Sequence, residues 1–232
     1  MGKNLIQQRR GKGNPKYRSP SHKYIGKLSY DDIPSDAKEG VVVDIVHSAG
    51  KYTPVAIVKF GDKNSLLIAG EGVYTGQKII VGSEEKGSIS TLGTVSEGAE
   101  IFNIELRPGD GGKLCRAPGT YGKVISRTAS TAVVELPSRK KIELPLNCRV
   151  TVGMPAGYGR GEKPMVKAGK MFHIMKAQNT VWPRTKAVAK NAVDHPLGGK
   201  TKPGKPLTTS RHASAGAKYG SLSPKRTGKR NK

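Results

Sequence analysis

Two kinds of side chain are scarce in this 232-residue chain: aromatics, at 5% of residues, and thiols, with two cysteines. Cys115 and Cys148 form no CxxC pair, and no second pair is present to complete a tetrahedral zinc site. Buried free thiols in a reducing compartment are therefore expected, and no metal. The histidines, His22, His47, His173, His195 and His212, are too dispersed to suggest a ligand set. No apolar run approaches the roughly 18–20 residues of a membrane span. The first residues lack the apolar stretch of a secretory signal. Neither membrane attachment nor secretion is expected, and the chain reads as cytosolic.

The most telling shortage is of acid in particular places. Residues 1–27 carry eight Lys/Arg and no Asp or Glu. Residues 28–112 carry seven basic and thirteen acidic side chains, 113–183 thirteen against three, and 184–232 thirteen against one. A mildly acidic centre is followed by a basic module, with strongly basic tails on either side, for a net charge of +24. Such tails bind polyphosphate by counterion release. Neutralising about six to ten phosphates makes affinity fall roughly a thousandfold or more between about 50 and 200 mM salt. Nucleic acid is the expected partner. The tails have too few large apolar residues for a core, while ordering them costs about 1–2 kcal/mol per residue. They are expected to order only on that partner.

Thirty glycines and fifteen prolines indicate many turns. Between Gly40 and Val152 the pattern is of short β-rich runs: 41–48, 54–60, 65–69 and 78–81, then 99–106 with a period of two. Asp62-Lys63-Asn64 after Gly61 marks a hairpin turn. These five strands predict a small closed barrel, since closure removes sheet edges. The loop RPGDGGK (107–113) breaks the series where the charge balance flips, and the module boundary is placed there. Runs at 120–127, 131–137, 140–145 and 148–153 predict a second, more basic antiparallel barrel. The fold class is thus mainly β, two small barrels in tandem with long basic irregular extensions. The division expected is 1–30, 31–112, 113–170 and 171–232. Within the last stretches, KAGKMFHIMKA predicts one helical turn or two.

Enzymatic motifs fail on inspection. Gly199-Lys200-Thr201 lacks the earlier glycine of a phosphate-binding loop, because Asp194 stands there. Gly157–Gly161 is followed by Lys163-Pro164 rather than a helix start. Both stretches suit backbone lying close against phosphates. His195 is the only histidine with an adjacent carboxylate, Asp194, and is the single candidate for acid–base chemistry. No Ser or Cys lies close to it in sequence, so a turn with the histidine bonded to backbone or RNA is the reading adopted, and no catalytic residue is assigned. The phosphate-contact candidates in the second module are Arg116, Lys123, Arg127, Arg149, Arg160, Lys167 and Lys170. In the tails they are Arg9, Arg10, Lys12, Arg18, His22, Lys23, Arg184, Lys186, Lys190, His195, Lys200, Lys202, Arg211 and Arg226. Tyr17 and Tyr219 are candidates for stacking on unpaired bases. For Phe172 and Trp182, stacking and packing against the barrels are equally good readings.

Several stretches identify a family. VVDIVHSAGKYTPVAIVKF, IAGEGVYTGQ, FNIELRPGDGGKL, CRVTVG, KAGK and NAVDHPLGG resemble the universal large-subunit ribosomal protein L2 family. GKNLIQQRRGKG and SRHASAGAKYGSLSPKRTGKR resemble its archaeal and eukaryotic branch. The resemblance covers essentially the whole chain. It implies an oligonucleotide-binding (OB) barrel followed by an SH3-like barrel, with extensions that enter ribosomal RNA. It also implies a structural role in the large subunit near the peptidyl-transferase region, supporting assembly, subunit association and tRNA binding. The implied partners are large-subunit ribosomal RNA, neighbouring ribosomal proteins and the small subunit through a bridge. No cofactor is implied beyond magnesium carried by the RNA, and the location implied is the cytoplasmic ribosome. His195 matches a family histidine discussed in connection with peptidyl transfer. The chain departs from the family around it, at Thr185–Asn191 and at Lys200-Thr201-Lys202, and the departures add cationic side chains. An architectural DNA-binding protein is the alternative, but it calls for a recognition helix that the pattern lacks.

Overall fold

The computed structural model describes residues 3–34, 37–200 and 207–226. The chain divides into two compact units, one of Pro20–Val166 and one joining Met1–Ser19 to Lys167–Lys232. The first unit holds two antiparallel sheets. Strands β1 (Glu39–Val46), β2 (Val55–Phe60), β3 (Lys63–Ile68) and β4 (Lys78–Ile80) are ordered β3-β2-β1-β4. Strands β5 (Ile89–Thr91), β6 (Glu100–Phe102), β7 (Gly122–Arg127), β8 (Thr131–Glu135), β9 (Lys141–Pro145) and β10 (Arg149–Val152) are ordered β5-β10-β6-β7-β8-β9.

The side-chain period of two decides which residues go inside. In β2, Ala56, Val58 and Phe60 face a core with Val42, Leu67, Ile79 and Ile89. In β8, Ala132 and Val134 face a second core with Ile101, Ile104, Val124, Val150 and Val152. Each buried Val, Ile or Phe contributes about 1.5–3 kcal/mol. Leu28, Val55, Ile68 and Phe102 form a third buried cluster. It draws on β2, β3 and β6, so both sheets contribute to it. Register shifts beside Val42 in β1 and Val124 in β7 are bulges of the kind that curl a sheet.

Several expectations are corrected. Residues 100–102 pair with β7 and β10 and so belong to the second sheet, not to the first series. Their Ile101, like Ile104 beyond them, fills the second core. The strand expected to run to 106 stops at 102, because Asn103 takes a left-handed φ of 50°. Strand β5 was not expected; at three residues it is too short to show a period. The β2–β3 loop is only Gly61-Asp62, since Phe60 pairs with Lys63. Gly61 supplies the positive φ that a two-residue loop suited to strand twist requires. Residues 20–30 belong to the sheet unit rather than to a free extension. Leu28 and Tyr30 are buried there, so this stretch carries apolar surface that its charge concealed.

In the second unit, α1 (Ile6–Gly11) begins where the Leu5 N–H donates to Gln8 Oε1 at 2.9 Å, one arm of a capping box. Helix α2 (Ala168–Ala177) is ten residues long, longer than the one or two turns expected, and buries no side chain. Strands β11 (Thr208–Thr209) and β12 (Ser221–Leu222) pair in parallel.

Candidate nucleic-acid interface

In the sheet unit the RPGDGGK loop is organised by two carboxylates: Asp110 accepts from the Leu106 N–H at 3.1 Å and the Gly112 N–H at 3.2 Å, and Glu105 ties the loop to the sheet. Glu105 is fully buried. Its Oε1 accepts from Arg149 Nε at 3.1 Å, Arg149 Nη2 at 2.9 Å and the Gly111 N–H at 3.1 Å. Its Oε2 accepts from the Arg149 N–H at 2.8 Å and the Gly109 N–H at 3.3 Å. Arg149 Nη1 donates to the Tyr30 carbonyl at 2.9 Å, and the guanidinium lies 5.4 Å from the Tyr30 ring centroid. The Tyr30 hydroxyl donates to the Asn103 carbonyl at 3.0 Å and meets Thr151 Oγ1 at 2.6 Å. Burial pushes the Tyr30 phenol well above its usual pKa. Gly112 has φ +87°, and a Cβ there would overlap Asn103. Arg116 completes the arrangement, donating to the Gly112 carbonyl at 2.8 Å and the Leu28 carbonyl at 3.0 Å.

Arg149 and Arg116, both read as phosphate ligands, thus direct guanidinium donors at internal acceptors. A buried carboxylate needs such partners, since an unpaired charge in low dielectric is costly. Lys123, Arg127 and Arg160 are exposed. The Arg127 side chain reaches the Gly93 carbonyl, and the Arg160 guanidinium sits 3.6 Å from the Tyr52 ring centroid. Lys123 lines a cleft of about 420 Å³ with Tyr121, Glu135 and Arg139.

In the second unit, stretches far apart in sequence, within 3–18 and 179–194, meet. Asn179, at φ 51° beyond α2, donates through Nδ2 to the carbonyls of Pro15 and Arg18, both at 2.7 Å. The Lys3 N–H donates to the Val193 carbonyl at 2.9 Å, and Lys3 Nζ pairs with Asp194 Oδ1 at 3.0 Å. Asp194 therefore offers its carboxylate to a lysine from the other end of the sequence. The 191–199 stretch is a tight turn. Its bonds run from the His195 N–H to the Asn191 carbonyl, the Gly198 N–H to the His195 carbonyl and the Gly199 N–H to the Lys190 carbonyl. A Cβ on Gly198 would overlap the Asn191 backbone. His195 Nδ1 accepts from the Leu197 N–H at 3.1 Å, which leaves the ring proton on Nε2. Burial, then the charge of Lys190, lowers the His195 pKa, which favours the neutral ring. Tyr219 meets the ring edge-on at 6.1 Å between centroids.

A groove of about 380 Å³ runs beside this turn, lined by Arg9, Lys16, Tyr17, Lys190, Asp194 and His195 among others. A second depression of about 180 Å³ is lined by Lys16, Phe172, Met175, Lys176, Asn179 and Trp182 among others. Of the remaining candidates, Arg10, Lys12, Arg18, His22, Lys23, Lys167, Lys170, Arg184, Lys186, Lys200, Arg211 and Arg226 are exposed. Tyr219 is half-buried, and Lys202 lies outside the described residues. The sequence did not single out Lys3, which bonds to Val193 and Asp194, or Lys16, which lines both depressions. Glu105 was read only as one position of an alternating strand. Among the described residues no group of three or more His, Cys, Asp or Glu side chains could hold a metal ion. No described helix is long and apolar enough to cross a membrane.

A family model for the C-terminal domain of ribosomal proteins L2 matches residues 85–218, more than half of the chain. The chain belongs to the ribosomal protein L2 family. Over 240 residues it is 48% identical to the large ribosomal subunit protein uL2 of Methanococcus maripaludis, covering 99% of this chain and 100% of that protein. The uL2 proteins of Methanothermobacter thermautotrophicus and Methanothrix thermoacetophila are 47% and 44% identical, again over 99% of this chain and 100% of theirs. It is an L2 protein of archaeal type. The stretch matched by the L2 family model opens just before β5 and takes in the whole second sheet, α2 and the turn around His195.

Proposed function

We propose that this L2 protein is a non-enzymatic constituent of the large ribosomal subunit in the cytoplasm. It binds and organises ribosomal RNA near the peptidyl-transferase region and supports assembly, subunit association and tRNA binding. The observation that carries the reading is 47–48% identity, over 99% of this chain, with archaeal proteins named large ribosomal subunit protein uL2. The charge distribution supports it, because the basic excess lies in the second module and the extensions, where most candidate cations are exposed. The partners are large-subunit RNA with its magnesium, neighbouring large-subunit proteins and the small subunit through a bridge. The two sheets are an OB barrel, β1–β4, and an SH3-like barrel, β5–β10. The division between them falls between β4 and β5, ahead of the 112/113 boundary first expected, and sheet membership supports this placement.

The phosphate contacts come mainly from Lys123, Arg160, Lys167, Lys170 and the cations of the two extensions, since Arg116 and Arg149 serve the fold. Competition binding of the full chain at moderate salt, between structured ribosomal RNA and duplex DNA, tests the reading. RNA is expected to win; equal competition would favour an architectural DNA-binding protein instead.

A further inference from the structure

The two depressions of the second unit share a wall. Lys16 lines both, and Lys16 and Tyr17 also line a third, of about 440 Å³, with Lys3, Arg9 and Lys12. We propose that the three form one continuous track for a single-stranded segment of RNA, its unpaired bases stacking on Tyr17 and on the Phe172–Trp182 depression. The proposal rests on the RNA-binding reading above and deepens it by naming the form of RNA.

The walls of the track are fixed by bonds rather than by the ligand. Asn179 pins the 15–18 turn to the end of α2, and Lys3 pins the first residues to the 191–199 turn. Its lining is mixed in kind. Tyr17, Phe172, Met175 and Trp182 offer flat or apolar surface, and Arg9, Lys16, Lys176 and Lys190 stand among them. Aromatic surface set within cations is what an unpaired strand uses, with bases on rings and phosphates on cations. A duplex keeps its bases stacked inside and has no use for the rings. The acidic group on the track, Asp194, is paired with Lys3, which reduces its repulsion of phosphate. His195 adds direction. With Nδ1 engaged by the Leu197 N–H, it presents Nε2–H as a donor and has no second acceptor, so it selects a phosphate, ribose or base oxygen or a bare ring nitrogen.

The chain supplies its own reporter, because Trp182 is its only tryptophan. Titrating the full-length protein with a ten-nucleotide single-stranded RNA at fixed salt is expected to change Trp182 emission saturably. A duplex RNA of equal phosphate concentration is expected to bind without that change. Tyr17→Leu is expected to weaken single-strand binding roughly five- to a hundredfold, with duplex affinity unchanged, and Tyr17→Phe is expected to restore it. Lys16→Gln is expected to flatten the single-strand salt slope by about 0.7. Single-strand binding with unchanged Trp182 emission, or a Tyr17→Leu loss equal for both RNA forms, would overturn the track while leaving RNA binding intact. Failure to bind either RNA would overturn both readings.

Discussion

Glu105 and Arg149 show that a residue expected to bind RNA also has a structural role. Five N–H groups converge on a carboxylate with no exposure, while the Arg149 side chain remains 29% exposed. Removing one partner of such a pair leaves the other uncompensated, at a cost of about 3–5 kcal/mol. Because Arg149 keeps some water, Glu105→Ala is expected near the low end, about 3 kcal/mol by urea unfolding; a change under about 1 kcal/mol would contradict the assignment. His195 makes a different kind of statement. Nitrogen-15 NMR is expected to find the proton on Nε2 and a titration midpoint below the 6.5 of an ordinary imidazole. Since its folded pKa is lowered, the unfolded chain takes the proton first as pH falls. The stability linked to this ring is therefore present above about pH 6.5 and declines below it. A ring protonated at Nδ1 at neutral pH would contradict the turn geometry. In assembled large subunits, His195→Gln is expected to leave single-turnover peptidyl transfer near normal, whereas loss of a general base costs about a hundredfold or more.

Elements carried their message unevenly. The runs at 54–60 and 131–137 could be read because β-branched and aliphatic residues are concentrated in them, as a strand with buried side chains requires; in β2 both faces are covered, Val55 on one and Ala56, Val58 and Phe60 on the other. Strand β5 could not, since three residues contain no period, and β6 could not be assigned to its sheet because pairing partners are set by long-range contacts. The turn around His195 was recognisable from Pro196 and Gly198-Gly199. The partner of Asp194 was not, since Lys3 lies at the other end of the sequence and only folding brings them together. The same holds for Lys16, which looks like any tail lysine until Asn179 ties its turn to α2. The turn also carries a prediction of its own. Gly198→Ala places a Cβ against the Asn191 backbone, so the turn must open. The NMR signature of the His195 Nδ1 acceptor is then expected to disappear while the chemical shifts of β1–β10 stay in place. Retention of that signature would mean that the turn accommodates a side chain.

At the scale of the whole chain, the separation of charge is the feature on which the proposed function rests. The stretch that contains β1–β4 carries an acidic excess, and the basic excess follows it and flanks it. This much stood in the sequence, because charge needs no fold to be counted. What folding added was the engagement of some cations with the protein's own acceptors and the meeting of residues 3–18 with 179–194 in one unit. The central claim is that this L2 protein holds large-subunit RNA through its extensions and second module. Ultraviolet cross-linking in purified large subunits, with the cross-linked peptides sequenced, tests it most directly. Cross-links are expected in 3–23 and in 160–226, with few on the outer face of β1–β4. Cross-links concentrated on β1–β4, or absent from both extensions, would contradict the account.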